Sequence, residues 1–136
     1  MTHRMSLRVY YEDTDMAGIV YYANYLRFLE RGRSDAVREV GCDQLDMRDR
    51  LGIVFVVRRV EIDYKAPARM DDVLTVETET SKLGGATMIM PQRVWRGETL
   101  IVAAEVRVAM MTLAGRPARL PAEIRQKLEQ LLPSAA

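Results

Sequence analysis

The chain is poor in the residues on which most hydrolytic chemistry rests. It holds one cysteine, Cys42, and one histidine, His3, in 136 residues. A lone cysteine closes no internal disulfide, which fits a reduced, cytoplasmic protein. A lone histidine near the N-terminus, where chains fray, supports no histidine triad, no Cys–His pair and no histidine-rich metal site. Acid–base or nucleophilic work must then come from a carboxylate, a tyrosine, a lysine or backbone dipoles. A dominant charge is also missing. Twenty Lys+Arg stand against 19 Asp+Glu, a net charge of +1, so nothing pulls the chain toward nucleic acid or an anionic membrane. No apolar run approaches the roughly 18–20 residues that cross a bilayer. The start, MTHRMSLRVYYEDTD, has no signal-peptide core. Internal repeats and low-complexity stretches are absent.

What remains is ordinary for one soluble domain spanning residues 1–136, with 49% hydrophobic and 29% charged residues. Leu7 to Tyr11 alternates weakly and reads as a first strand. From Asn24 to Val40, apolar residues recur at helical spacing (Tyr25, Phe28, Leu29, Ala36, Val37, Val40), with charges between them. Asn24 suits the N-cap of this helix and Gly41 its C′ position. Gly32 lies mid-helix on the apolar face, where close approach of a strand or a second subunit would justify it. From Ile53 the period becomes two. Val60, Ile62 and Tyr64 alternate with charges, as do Leu74 and Val76, and later Leu100 to Met110. Gly84-Gly85 reads as a two-residue hairpin turn. Pro91 predicts a bulge or a free ladder position. Pro121 suits the first position of a short final helix through Ile124, Leu128 and Leu131, with fraying from Pro133. The order is strand, long helix, then four meandering antiparallel strands and a terminal helix. One helix and about five strands bury each other best as an α+β fold, the sheet wrapped round the helix. An uncovered edge strand then predicts dimerisation.

The stretch Tyr10–Tyr25, YYEDTDMAGIVYYANY, carries the chemistry. Asp13 and Asp15 approach a turn at Gly18, and the turn feeds a helix start. Helix starts present unpaired N–H groups and partial positive charge. A carboxylate beside such a site suits attack on a carbonyl carbon. Asp15 is favoured over Asp13 because it is nearer the turn and the helix. Capping of the turn is the plainer role for both. Gly18 suits a positive-φ turn or close backbone approach to a ligand. Tyr21 and Tyr22 serve equally as site or interface aromatics. Arg58, Arg59 and Lys82 are the candidate phosphate contacts, set against strand-end pairing with Glu61 and Asp63. Met88, Met90, Met110 and Met111 fit core filling or an adaptable pocket.

The order Tyr11-Glu-Asp-Thr-Asp15, Ala17-Gly18-Ile-Val20, Tyr22, Asn24-Tyr25, Phe28-Leu-Glu-Arg31 resembles the signature of the 4-hydroxybenzoyl-CoA thioesterase family of hotdog-fold enzymes. Phe55-Val-Val-Arg58 and Tyr64-Lys-Ala-Pro-Ala-Arg69-Met-Asp-Asp72 bring it nearest the Tol-Pal-associated acyl-CoA thioesterases. The resemblance implies a hotdog fold: an antiparallel sheet round one central helix. It implies Asp15 as the catalytic carboxylate and the Tyr22 backbone N–H as the group that polarises the thioester carbonyl. Gly18, Val20, Tyr21, Asn24, Arg58, Arg59 and Lys82 are the positions expected to contact substrate. It further implies an acyl-CoA substrate, no metal, no cofactor beyond the coenzyme A of the substrate, and a dimer of dimers with sites at the dimer interface. Acyl carrier protein is a further candidate partner. Members of the branch often carry histidine where this chain has Tyr22. The basic cluster that holds nucleotide phosphates in the 4-hydroxybenzoyl-CoA enzyme is here Lys82-Leu-Gly-Gly.

Two functions follow. One is hydrolysis of an acyl-CoA thioester, with Asp15 as nucleophile or as general base. The other is a non-catalytic module that binds acyl-CoA or acyl carrier protein on the same fold. A carboxylate at the thioester favours the first, since a pure binder of anionic coenzyme A has no use for it. A hotdog dehydratase would need a well-placed histidine.

Overall fold

The computed structural model describes residues 1–133; the fraying expected beyond Pro133 lies largely outside them. The amphipathic run forms helix α1, Tyr25–Glu39, and buries Tyr25, Phe28, Leu29, Gly32, Ala36 and Val37. Burying a side chain such as Phe28 or Leu29 contributes roughly 1.5–3 kcal/mol, so packing holds this helix more than propensity does. At its end, the Cys42 N–H donates to the Val37 carbonyl (2.8 Å) and the Gly41 N–H to that of Arg38 (3.0 Å). With Gly41 at φ +99°, this is the Schellman cap that the glycine predicts. The helix start differs from expectation. Asn24 has helical dihedrals and its side chain makes no cap bond. It ends a 3₁₀ turn, Tyr22–Asn24, with Tyr21 in the capping position. The helical run therefore begins at Tyr22.

Six strands form one antiparallel sheet: β1 (His3–Arg8), β2 (Ile53–Tyr64), β3 (Val73–Thr78), β4 (Lys82–Leu83), β5 (Thr87–Arg96) and β6 (Thr99–Thr112). Their order is β1-β3-β5-β6-β2, with the short β4 pairing β5. The simple meander is thus corrected. β2 does not pair β3; it lies at the far edge beside β6. The chain crosses back through 65–72, where the Lys65 and Ala66 N–H groups bond the Ile101 carbonyl (2.8 and 3.2 Å). Helix α1 packs on the face lined by Leu74, Val76, Met88, Met90, Val94, Val102, Val106, Val108 and Met110, all buried. Met88, Met90 and Met110 are core, as the plainer reading had it; Met111 is only half-buried.

The first strand lies earlier than Leu7–Tyr11, and His3 is not frayed. His3 is buried, its Nε2 3.1 Å from Asp35 Oδ2 and 2.8 Å from Glu39 Oε2 on α1. Gly32 behaves as predicted: a Cβ there would meet Val76 Cγ1 at 2.6 Å. Buried Gln92 fills the same crossing. Its Nε2 donates to the Leu29 carbonyl and Thr78 Oγ1, each at 2.9 Å, and its Oε1 accepts from Arg33 at 3.1 Å. Every polar atom of that buried amide is used, so it costs little.

Three turn expectations shift in detail. The Gly84 N–H donates to the Thr87 carbonyl (2.8 Å), so the central turn pair is Gly85-Ala86, one residue late. Pro91 sits within β5, and its carbonyl accepts from Glu79 N–H (3.2 Å). On that side β3 has ended and β4 has not begun, so the missing donor falls at a free ladder position. Pro121 precedes the last helix, α3 (Ala122–Leu128), at the cap rather than inside it. Between α1 and β2 a short helix, α2 (Gln44–Asp46), runs into a π-helical turn, Met47–Leu51. Its cap is Asp43, whose side chain accepts from Leu45 and Asp46 N–H. No periodicity in that stretch announces it.

Candidate active site

The segment before α1 folds as a short hairpin. Thr14 pairs Val20 antiparallel, and the Tyr21 N–H donates to the Asp13 carbonyl (2.9 Å). At the tip, the Gly18 N–H reaches the Asp15 carbonyl (3.0 Å) and the Asp15 N–H reaches that of Ile19 (2.9 Å). Gly18 has φ +80°. This is a type I turn closed by a left-handed glycine, a loop for which Asp at the first position and Gly at the fourth are suited.

The two aspartates sit at opposite ends of this hairpin. Asp13 is buried at its base. Its Oδ2 accepts from the Tyr10 N–H and its Oδ1 from Asn24 Nδ2, both at 2.8 Å. That bond ties the hairpin to the first turn of the helix. Asp15 is half-buried at the tip. Its Oδ1 accepts from the Ala17 N–H at 2.9 Å; Oδ2 has no hydrogen-bond partner among the described residues. One oxygen holds the turn while the other stays open, so the capping role leaves a carboxylate oxygen free.

Tyr22 opens the helical run, and its N–H has no protein acceptor among the described residues. This is the orphan donor that a helix start provides. The Tyr22 carbonyl accepts from the Tyr64 hydroxyl (3.1 Å). The Tyr22 ring lies 5.0 Å from that of Tyr21 and 6.1 Å from that of Tyr64, centroid to centroid. Burial pushes the Tyr64 phenol up, with Tyr22 adding to the effect, so Tyr64 remains a donor. Tyr10, Tyr11, Met16, Tyr21 and Tyr22 are all exposed. So many large side chains in the open around one hairpin mark a binding surface. Val20 is in the core and its N–H bonds the Ala68 carbonyl (2.8 Å). The side chains of Val20 and Asn24 are thus spent inside the protein.

The three candidate cations separate. Arg59 Nη2 lies 2.6 Å from Glu61 Oε1, both exposed, the pairing alternative. Arg58 and Lys82 line one cleft with Gly84, Thr87, Ile89 and Arg107. Arg107 was not singled out from sequence. It is brought there by register: Lys82 stands opposite Ile89, Ile89 opposite Arg107, and Arg107 opposite Arg59. Arg58 is the extra residue at a β-bulge between Val57 and Arg59, a device that re-aims side chains. Of this row only Arg107 and Arg59 stand directly opposite, and Arg59 is paired with Glu61. Tyr64 and Arg58 share β2 six residues apart, roughly 20 Å of extended chain. Cys42 is buried, and burial pushes its thiol up despite Lys127, so it is no thiolate nucleophile.

Comparison with known proteins agrees with this picture. The thioesterase superfamily model matches residues 17–103. The acyl-CoA thioesterase YbgC of Haemophilus influenzae is 40% identical over 126 residues, covering 92% of this chain and 93% of that protein. A probable thioesterase from Bartonella henselae is 42% identical, with a TM-score of 0.79 over 88% of this chain and 98% of its own. A 4-hydroxybenzoyl-CoA thioesterase variant in complex with 4-hydroxybenzoyl-CoA shares the fold, with a TM-score of 0.86 over 93% of this chain and 98% of its own, at 23% identity. This chain, with its long helix α1 seated on one antiparallel sheet, is a hotdog-fold member of the thioesterase superfamily.

Proposed function

We propose that this protein hydrolyses acyl-CoA thioesters at the hairpin tip. The observation that carries the reading is that one short hairpin bears both an open carboxylate oxygen, Asp15 Oδ2 at its tip, and an orphan N–H, that of Tyr22 just past its base. The thioester oxygen would accept from the Tyr22 N–H, where the helix dipole favours developing negative charge. Asp15 then acts in one of two ways. It attacks the carbonyl carbon, expelling the coenzyme A thiolate and leaving a mixed anhydride that water opens. Or it takes a proton from water as that water attacks, and the thiolate leaves. Tyr64 and the Asp13–Asn24 bond hold the helix start in place. Arg58, Lys82 and Arg107 would take the phosphates of coenzyme A, which enters as part of the substrate. The exposed aromatics round the site, with the open edge of β2, support a homo-oligomer in which a second copy covers the site.

The test is free-thiol release from short, long and aromatic acyl-CoA thioesters. Hydrolysis of at least one class is expected. Tight binding with no release from any class would replace this reading by the non-catalytic acyl-CoA or acyl-carrier-protein module.

A further inference from the structure

The hairpin that bears Asp15 does not stand alone. Its returning limb, residues 19–20, has a neighbour on each side. Thr14 pairs Val20 within the hairpin. Opposite, Ile19 pairs Arg69 antiparallel, and the Val20 N–H donates to the Ala68 carbonyl (2.8 Å). The crossover 65–72 is therefore the wall on which the hairpin rests, and whatever fixes the wall also fixes the tip.

Backbone bonds hold the two ends of that wall. Lys65 and Ala66 are tied to Ile101, as described above. At the other end, the Asp71 N–H donates to the Val9 carbonyl (2.8 Å) and the Val9 N–H to that of Asp72 (2.9 Å). In the middle, one carboxylate oxygen gathers the chain. Asp72 Oδ2 accepts from the Arg69 N–H (2.8 Å) and from Arg96 Nη1 (3.1 Å). The same Nη1 donates to the Pro67 carbonyl (2.9 Å). Arg96 is the last residue of β5, so the ion pair anchors residues 67–69 to the sheet. Asp71, beside it, has φ +71°, the one non-glycine residue in the left-handed region among the described residues. Such a conformation persists only where the surroundings over-determine the backbone, here through the two bonds to Val9. The pair also backs the helix start. Burial pushes the phenol of Tyr25, first residue of α1, up, while the Ala68 backbone and Arg96 draw it down.

The side chains of Arg96 and Asp72 are 35% and 25% exposed. An ion pair so open to water contributes little to global stability. Its bonds converge instead on the three residues that carry the hairpin. We propose that Asp72 is a positioning residue for the candidate active site, bracing residues 67–69 against Arg96 so that the hairpin holds Asp15 in place. Asp72 touches no substrate; it acts through the Ile19–Arg69 bridge and the Val20–Ala68 bond. The inference rests on the role of Asp15 in the function proposed above. A misplacement of about 1 Å can cost on the order of a hundredfold in rate. A brace that matters little to stability can therefore matter a great deal to turnover.

The experiment pairs thiol-release kinetics, on the acyl-CoA thioester that the wild type hydrolyses fastest, with amide hydrogen exchange. The variants are Asp72→Ala, Asp72→Asn and Arg96→Leu. Asp72→Ala should lower kcat about ten- to a hundredfold with KM within about twofold of wild type. Exchange at the Val20 and Tyr21 amides should quicken about tenfold or more, while amides of β5 and β6 keep wild-type rates. Arg96→Leu should resemble it. Asp72→Asn should recover most of both losses, because its amide oxygen still accepts from Arg69 and Arg96. Wild-type kcat and wild-type hairpin exchange in Asp72→Ala overturn the proposal. So does exchange that quickens equally in the hairpin, β5 and β6, which marks a purely structural role. A wild type that hydrolyses no thioester is a failure of the proposed function instead. Hairpin exchange then decides the brace by itself, and an unchanged rate in Asp72→Ala overturns it.

Discussion

Asp13 and Asp15 stand two residues apart, and the protein uses them in opposite ways. At the base of the hairpin, Asp13 is buried and both oxygens are bonded, to Tyr10 N–H and Asn24 Nδ2. At the tip, Asp15 is half-buried and gives one oxygen to the turn. A buried carboxylate with each oxygen bonded to a donor is a fastener. One with an oxygen left over, on the same hairpin as an orphan amide, is the group the proposed function takes as its reagent. The difference teaches that the base fixes the geometry of the tip, whatever the tip goes on to do.

Four substitutions probe this division, from the largest effect on folding to the smallest. Asp13→Ala leaves the part-buried Tyr10 N–H and the buried Asn24 amide without partners, a loss of about 2–3 kcal/mol. Urea unfolding should show it as a lowered midpoint at unchanged slope. Asn24→Ala leaves one oxygen of a buried carboxylate unpaired and should cost about 2 kcal/mol by the same measurement. Equal stability of either variant with the wild type would mean that the base is not fastened as described. Gly18→Ala places a Cβ at φ +80° with open space around it. The strain is local, about 1 kcal/mol, but it tilts the tip. Turnover should fall further than the melting temperature suggests. Tyr64→Phe removes one half-exposed hydrogen bond to the helix start, roughly 0.5 kcal/mol. A few-fold drop in kcat with unchanged KM would mark Tyr64 as a positioning residue; unchanged kinetics would make that bond incidental.

Much of this was legible in the sequence, for local reasons. The helix and its glycine cap follow from spacing within α1 and a positive φ that Gly41 alone supplies cheaply. The Gly18 turn and the close approach at Gly32 follow in the same way. What sequence hid is set by register between distant strands. His3 at the terminus looked loose because its partners, Asp35 and Glu39, lie on a helix that only the β1–β3 pairing brings near. Arg107 looked like any outward-facing residue until the ladder set it in one row with Lys82 and Arg59. β2 looked like one limb of a meander, because no periodicity records that a strand pairs with β6 rather than with its successor. Asn24 looked like a cap because asparagine usually is one there; Asp13, eleven residues earlier, claims its amide instead.

The most direct test sets Asp13→Asn beside Asp15→Asn, reading thiol release and melting temperature on the same preparations. Asp15→Asn should lower kcat about 10²–10⁴-fold, the usual span for removing a catalytic acid–base group. Its melting temperature should not move, since an amide oxygen can still accept from Ala17. Asp13→Asn should do the reverse, lowering the melting temperature while the remaining folded protein still turns over. Near-normal kcat in Asp15→Asn would contradict the account outright.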